Sequence, residues 1–328
     1  MTSELAVDDL VVRFPLRSAM VARLLGRTSE VLTAVDGLSF TVPPGESVAV
    51  VGESGCGKST LARCLVGLQA PTAGRIRLGG QVLPRRRTRG DRRRIQMVFQ
   101  DPSSSLNPTM TVATMLAELL HVHDLARGDQ VRARVAELLE LVQLPGRIAA
   151  AYPRDLSGGQ RQRIGIARAL ALEPEVLVAD EAVAALDASV QASVLNLFAE
   201  LRARLGLTLI FISHDLAAVR HVADRVMVMY LGAVVEDRPA ESLFTDPQHP
   251  YTQALLDAAP RLDRRLGDEP SLPGEPPSPV ALPSGCRFHP RCIHAIDHCR
   301  ETEPVLTGPS ATDRTACHLA WRDTHERR

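Results

Sequence analysis

Residues 51–60, VGESGCGKST, constrain this chain more than any other stretch. They fit the spacing G-x-x-x-x-G-K-[S/T], with Gly52, Gly57, Lys58 and Ser59 in the fixed places. The run before them, SVAVV, has the apolar, β-branched texture of a strand buried on both faces, and STLARCLVGL begins a helix. A strand, loop and helix in that order leave the loop and first-turn N–H groups without internal partners, so they can wrap a phosphate chain. The candidate cradle is Gly52, Ser54, Gly55, Cys56, Gly57, Lys58, Ser59 and Thr60, with the Ser59 hydroxyl as a Mg²⁺ ligand. Lys58 is the only lysine among 38 basic residues. A coding bias toward arginine removes lysine wherever a generic charge suffices. It spares lysine where a compact ammonium must sit between β- and γ-phosphates and a planar guanidinium would not fit.

The chain of 328 residues, 45% hydrophobic, has enough apolar material for two domains or one large one. Its 38 basic and 38 acidic residues cancel, which excludes a global electrostatic footprint for nucleic acid or an anionic membrane. No apolar run reaches the roughly 18 to 20 residues needed to cross a bilayer, and MTSELAVDDL lacks the build of a signal peptide. The expectation is a cytosolic protein. Two cysteines stand alone, Cys56 and Cys64, while Cys286, Cys292, Cys299 and Cys317 cluster late in the chain. In a reducing compartment such a cluster points to a metal site before disulfides.

Residues 1 to about 240 alternate β-branched runs with amphipathic helical stretches, the pattern of an α/β core. The runs at 47–51, 94–99, 175–180, 208–213 and 225–230 predict strands. Across 189–205, Val190, Val194, Leu197, Phe198 and Leu201 share one helical face, and Gly206 supplies a stop. Residues from about 101 to 165 read as a helical insert. A boundary falls near 240, after which 272–285 is too rich in Pro and Gly for regular structure.

VLVADE places Asp180 and Glu181 at the end of an apolar run. Beside a phosphate loop, Asp180 can hold Mg²⁺ and Glu181 can polarise an attacking water. LSGGQRQR opens a helix with Ser157, Gly158, Gly159 and Gln160, a second anion-binding helix start. One phosphate loop needs no second cradle unless another subunit brings the nucleotide, so a head-to-tail dimer with ATP at the interface is expected.

Together these motifs resemble the ATP-binding cassette proteins, the motor subunits of ABC transporters, over residues 1–240. The resemblance implies a P-loop NTPase core with an antiparallel β subdomain and a helical subdomain. It implies that Gln100, in FQDP, senses γ-phosphate and Mg²⁺, that His214, in ISHD, contacts γ-phosphate, and that Asp187, in AALD, lies across a dimer interface. Phe14 is the candidate adenine-stacking aromatic. The chain departs from the D-E-P-x-S-A-L-D pattern of this branch by carrying Ala182 and Ala184. Losing the proline loosens the turn, and losing the serine removes a possible cross-interface hydrogen bond. With Glu181 and His214 retained, hydrolysis is still expected.

After 240, HPYTQALL, LPGEPPSP and CRFHPRC resemble the oligopeptide and dipeptide importer ATPases. That implies two membrane permeases, a second ATPase subunit, an extracytoplasmic solute-binding protein, and a peripheral place on the cytoplasmic face of the membrane. The spacing C-x5-C-x6-C-x17-C lacks the close pairs of structural zinc sites. By resemblance it implies a four-iron, four-sulfur cluster on Cys286, Cys292, Cys299 and Cys317, with zinc or free thiols as alternatives. RRRTRGDRRR, 85–94, reads as a solvated face near anionic headgroups, without the aromatics that nucleic-acid binding would need. Two other readings stay open: a soluble cassette ATPase acting on nucleic acid or translation, and a metal-sensing module with a degenerate ATPase.

Overall fold

The computed structural model describes residues 3–16, 31–101, 105–259 and 274–321. Strands β1 (Leu5–Pro15) and β2 (Val31–Val42) pair antiparallel, and β4 (Ala73–Leu78) with the short β5 (Gln81–Val82) extends them into a four-stranded sheet. Between these, β3 (Ser47–Val51) passes into the phosphate loop and helix α1 (Lys58–Leu65). Helix α2 (Arg89–Arg94) then leads to β6 (Ile95–Val98). The insert follows as α3 (Val112–Val122), α4 (Asp129–Leu141) and α5 (Gly158–Leu170), which agrees with the helical reading of that stretch. The chain returns to the core through β7 (Val176–Asp180), α6 (Ala188–Leu205), β8 (Thr208–Ile212), α7 (Leu216–Val222), β9 (Arg225–Tyr230) and β10 (Ala233–Pro239).

The five strands expected from apolar runs are β3, β6, β7, β8 and β9, and they pair in parallel in the order β6-β7-β8-β3-β9. Alternation along each strand divides the core into two layers. Val48, Val50, Val178, Ile210, Ile212 and Met229 face α1 and the antiparallel sheet, where they meet Leu61 and Leu65. Ala49, Val51, Leu177, Ala179, Phe211 and Val228 face the other way, onto Val194, Phe198 and Leu201 of α6. Each such Leu or Phe contributes about 1.5–3 kcal/mol by leaving water. Gly206 ends α6 in the left-handed region at φ 65°, the stop its position implies.

The boundary near 240 does not interrupt this core. After α8 (Ala240–Thr245) and α9 (Pro250–Asp257), the described chain resumes at 274 and runs through α10 (Asp297–Glu301) to strands β11 (Thr307–Ser310) and β12 (Asp313–Thr315). β12 pairs with β10 through Glu236 and Asp237, so the C-terminal extension adds two strands to the central sheet and completes eight. An edge strand with open N–H and C=O groups is the natural place for such an addition. Asp237, fully buried there, is met by both Arg225 and Arg314, and Arg225 also bonds Glu46.

The arginine run is not uniformly a solvated face. Arg87 is buried, and its Nη2 donates to Cys64 O at 3.3 Å and Leu65 O at 3.2 Å, covering carbonyls at the end of α1. Arg94 pairs with Glu175. Arg85, Arg86, Arg89 and Arg92 are exposed as expected, and Arg93 is half-buried.

Candidate nucleotide site

The loop between β3 and α1 is shaped by glycines that no other residue could replace cheaply. A Cβ on Gly52 would lie 2.2 Å from Met229 O, and one on Gly57 would lie 2.1 Å from Ala34 O. Gly57 also takes φ 110°. No side chain caps the first turn of α1, which leaves its amides facing the loop. Lys58 is buried, and its Nζ donates to Gly52 O at 2.7 Å and Glu53 O at 2.9 Å. Cys56 Sγ lies 3.7 Å from that ammonium, yet burial still pushes the thiol above its ordinary value. Ser54 and Gly55 are exposed at the loop's outer side, and Ser59 and Thr60 are half-buried.

Parallel strands bring the remaining candidates to the same end of the sheet. Ser59 Oγ donates to Asp180 Oδ1 at 3.1 Å. Burial raises the Asp180 carboxyl above its ordinary value, the Ser59 bond opposes that shift, and the Glu181 charge adds to it. A carboxylate and hydroxyl in contact, half removed from water, form an oxygen donor set that fits Mg²⁺. Glu181 sits in the left-handed region at φ 48°, and its N–H donates to Ile212 O at 2.9 Å. That bond aims its carboxylate at two partners. Gln100 Nε2 donates to Glu181 Oε2 at 2.7 Å, and His214 Nδ1 lies 3.3 Å from Glu181 Oε1.

Other sequence candidates stand elsewhere. Ser157 begins α5 with a reciprocal capping box: its Oγ accepts the Gln160 amide at 3.3 Å, while Gln160 Oε1 accepts the Ser157 amide at 2.9 Å. Both side chains cap their own helix through acceptor atoms, which engages neither the Ser157 O–H nor the Gln160 side-chain N–H groups. The box leaves the Gly158 and Gly159 amides outside it. Gly159 also packs on α6, where a Cβ would meet Val190 Cγ1 at 2.5 Å. Among the described residues, no hydrogen bond or ion pair joins Ser157–Gln160 to the phosphate loop. Asp187 is exposed at the start of α6. Phe14, half-buried on β1, packs against the core layer that includes α1. Ala182 is buried in a turn closed by the Ala184 N–H on Glu181 O at 3.1 Å. The Pro102 of FQDP and part of LPGEPPSP lie outside the described residues.

The structure adds residues that the motifs did not suggest. Glu53 N–H donates to Tyr251 Oη at 2.8 Å, and the Glu53 carboxylate receives Arg291 through both oxygens, at 2.7 and 3.0 Å. Both partners belong to the C-terminal extension. A glutamate inside a phosphate-binding loop was the available signal, since that carboxylate needs a cation.

The four late cysteines converge. Burial pushes the Cys286 thiol up to about 11, and the prospective charges on Cys317, Cys299 and Cys292 add to it. Burial also raises Cys292 and Cys317, each with contributions from neighbouring cysteines. Three sulfurs face an amide two residues on, from Phe288, His294 and Leu319, a pattern that favours thiolates. Among the described residues, no group of three His, Cys, Asp or Glu side chains stands close enough to ligate a metal ion. A tetrahedral zinc needs all four sulfurs at about 2.3 Å from one atom.

Residues 35–184 match the ABC transporter family model, and residues 235–299 match that of the oligopeptide/dipeptide transporter C-terminal region. The oligopeptide transport ATP-binding protein AppF of Bacillus subtilis is 45% identical over 323 residues, covering 96% of this chain and 97% of that protein. The dipeptide transport ATP-binding protein DppF of Haemophilus influenzae is 45% identical over 308 residues, covering 93% of each. Among solved structures, cbiO1 of Clostridium perfringens, part of an ABC transporter complex, is similar with a TM-score of 0.62 and 27% identity over 75% of this chain and 92% of that one. A dimeric ATP-binding cassette in a post-hydrolysis state, bound to ADP and Pi, is similar with a TM-score of 0.59 and 27% identity over 70% of this chain and 96% of that one.

Proposed function

The chain belongs to the family of ABC transporter ATP-binding subunits, and from that premise we propose how its own residues serve the ATP-hydrolysing motor of a peptide importer. Lys58 and the loop amides hold the terminal phosphates of ATP. Ser59 and Asp180, with Gln100, would hold Mg²⁺, which when bound would neutralise phosphate charge. Glu181 orients the attacking water and accepts its proton. Gln100 and His214 hold the Glu181 carboxylate from two sides; with nucleotide bound, Gln100 would face the γ-phosphate and Mg²⁺, and His214 the γ-phosphate. Ser157, Gly158, Gly159 and Gln160 of a second ATPase subunit close over the nucleotide, with Asp187 at that contact and Phe14 against the adenine. The observation that supports this reading best is the convergence of Lys58, Ser59, Asp180, Glu181, Gln100 and His214 at one end of a parallel sheet.

No described helix is long and apolar enough to cross a membrane. The motor works through partners. These are two membrane permeases and a second ATPase, served by an extracytoplasmic solute-binding protein, with this chain peripheral on the cytoplasmic face. Nucleic acid is not among the expected partners. Reconstitution of the full complex in vesicles tests the reading: K58A should abolish ATP-driven peptide uptake, and uptake at the wild-type rate would refute it.

Cys286, Cys292, Cys299 and Cys317 hold a four-iron, four-sulfur cluster in this reading. The amides facing three of the sulfurs support it. Anaerobically purified protein should carry about four irons and four sulfides per chain, with a broad visible absorbance. Stoichiometric zinc without iron would overturn the assignment.

A further inference from the structure

Three atoms groups of Glu53 are tied at once. Its N–H donates to Tyr251 Oη at 2.8 Å, its carbonyl accepts Lys58 Nζ at 2.9 Å, and its carboxylate takes the Arg291 guanidinium in a two-point pair at 2.7 and 3.0 Å. The Arg291 side chain is 4% exposed. Its carbon Cζ stands 5.9 Å from both the Tyr230 and Phe288 ring centres, and Nη1 also reaches Tyr230 Oη at 3.3 Å. Tyr230, Tyr251 and Phe288 pack on one another with centroids 4.6 to 5.4 Å apart, so the guanidinium has a rigid seat. Nearby, Arg287 fastens the same segment to the core through Leu231 O at 2.7 Å and Asp36 Oδ2 at 2.8 Å.

We propose that Arg291 is a positioning residue for nucleotide binding, which neutralises Glu53 and holds it, and through it Lys58, in the phosphate-receiving arrangement. This role for Arg291 rests on the ATP-binding reading of the loop. An unpaired carboxylate in an anion cradle repels the triphosphate that the cradle must accept. The planar, two-point pair both cancels that charge and fixes its direction. Glu53 then serves the loop by its backbone alone: one end anchored to Tyr251, the other orienting the ammonium.

Repair of the charge separates this role from a merely structural one. Affinity of the full-length protein for Mg²⁺ and a fluorescent ribose-labelled ATP is measured for wild type, R291A, E53Q, the double variant R291A/E53Q, and K58A. R291A should weaken binding about tenfold at low salt, and the loss should shrink at high salt. R291A/E53Q should return to within about threefold of wild type, since no carboxylate is left to repel phosphate. R291M, which keeps an apolar stem between Tyr230 and Phe288, should show the same pattern if R291A unfolds the extension. Wild-type affinity in R291A and R291M overturns the proposal, as does a double variant as weak as R291A. Binding by K58A equal to wild type would instead refute the phosphate-loop reading beneath it.

Discussion

Gly55 and Gly57 offer a paired test of how the phosphate loop is built. Both take positive φ, 81° and 110°, so alanine at either position carries a backbone strain of about 1–2 kcal/mol. Their surroundings differ. A Cβ on Gly55 meets nothing within 4 Å, whereas one on Gly57 lies 2.1 Å from Ala34 O, well inside the contact distance of about 3.5 Å. That carbonyl belongs to β2, whose neighbour Val35 is locked in register with Val12 of β1, so it cannot simply withdraw. Overpacking of this kind adds about 1–3 kcal/mol. G55A should therefore cost about 1–2 kcal/mol and G57A about 2–5 kcal/mol in urea denaturation without nucleotide. ATP affinity should fall further in G57A, because the shift displaces Lys58 beside it. If G57A proves as stable as G55A, the close approach of β2 to the loop is wrong, and with it the geometric reason for glycine there.

K58R should bind ATP about 100-fold more weakly or worse, because Lys58 is buried against two carbonyls and a guanidinium is too wide; equilibrium binding near wild type would contradict this. E181Q should hold ATP within a few-fold of wild type while phosphate release drops roughly 10²–10⁴-fold in the assembled transporter; an unimpaired rate would remove Glu181 from the chemistry. His249 is fully buried, which depresses its pKa from 6.5 to about 3, and its Nδ1 accepts the Tyr251 amide. The folded state thus resists a proton that the unfolded chain accepts below its ordinary pKa. Stability from this group is complete above about pH 6.5 and is lost as pH falls toward 3, by at most about 1.4 kcal/mol per pH unit. Denaturation midpoints of wild type and H249Q between pH 7 and 4 should therefore differ in slope by about one proton; parallel curves would show that His249 is not the group.

The phosphate loop, the Asp180–Glu181 pair, the five buried strands and the Gly206 stop were legible in the sequence for one reason: each is encoded by near neighbours. An apolar β-branched run, a glycine spacing or a helical face is set within a few residues and survives any arrangement of the rest. The same local chemistry explains the helical insert and the reciprocal capping of Ser157 and Gln160, a three-residue relation.

What the tertiary structure alone decided are relations between distant segments. Glu53 and Arg291 are 238 positions apart, and nothing in either neighbourhood names the other. The seating of β12 on β10, the burial of Arg87 under α1 and the convergence of Cys286, Cys292, Cys299 and Cys317 depend likewise on how layers stack. Side-chain pairing across such distances is settled by which buried charge finds a counter-charge once the sheet closes, and that is a property of the assembled core.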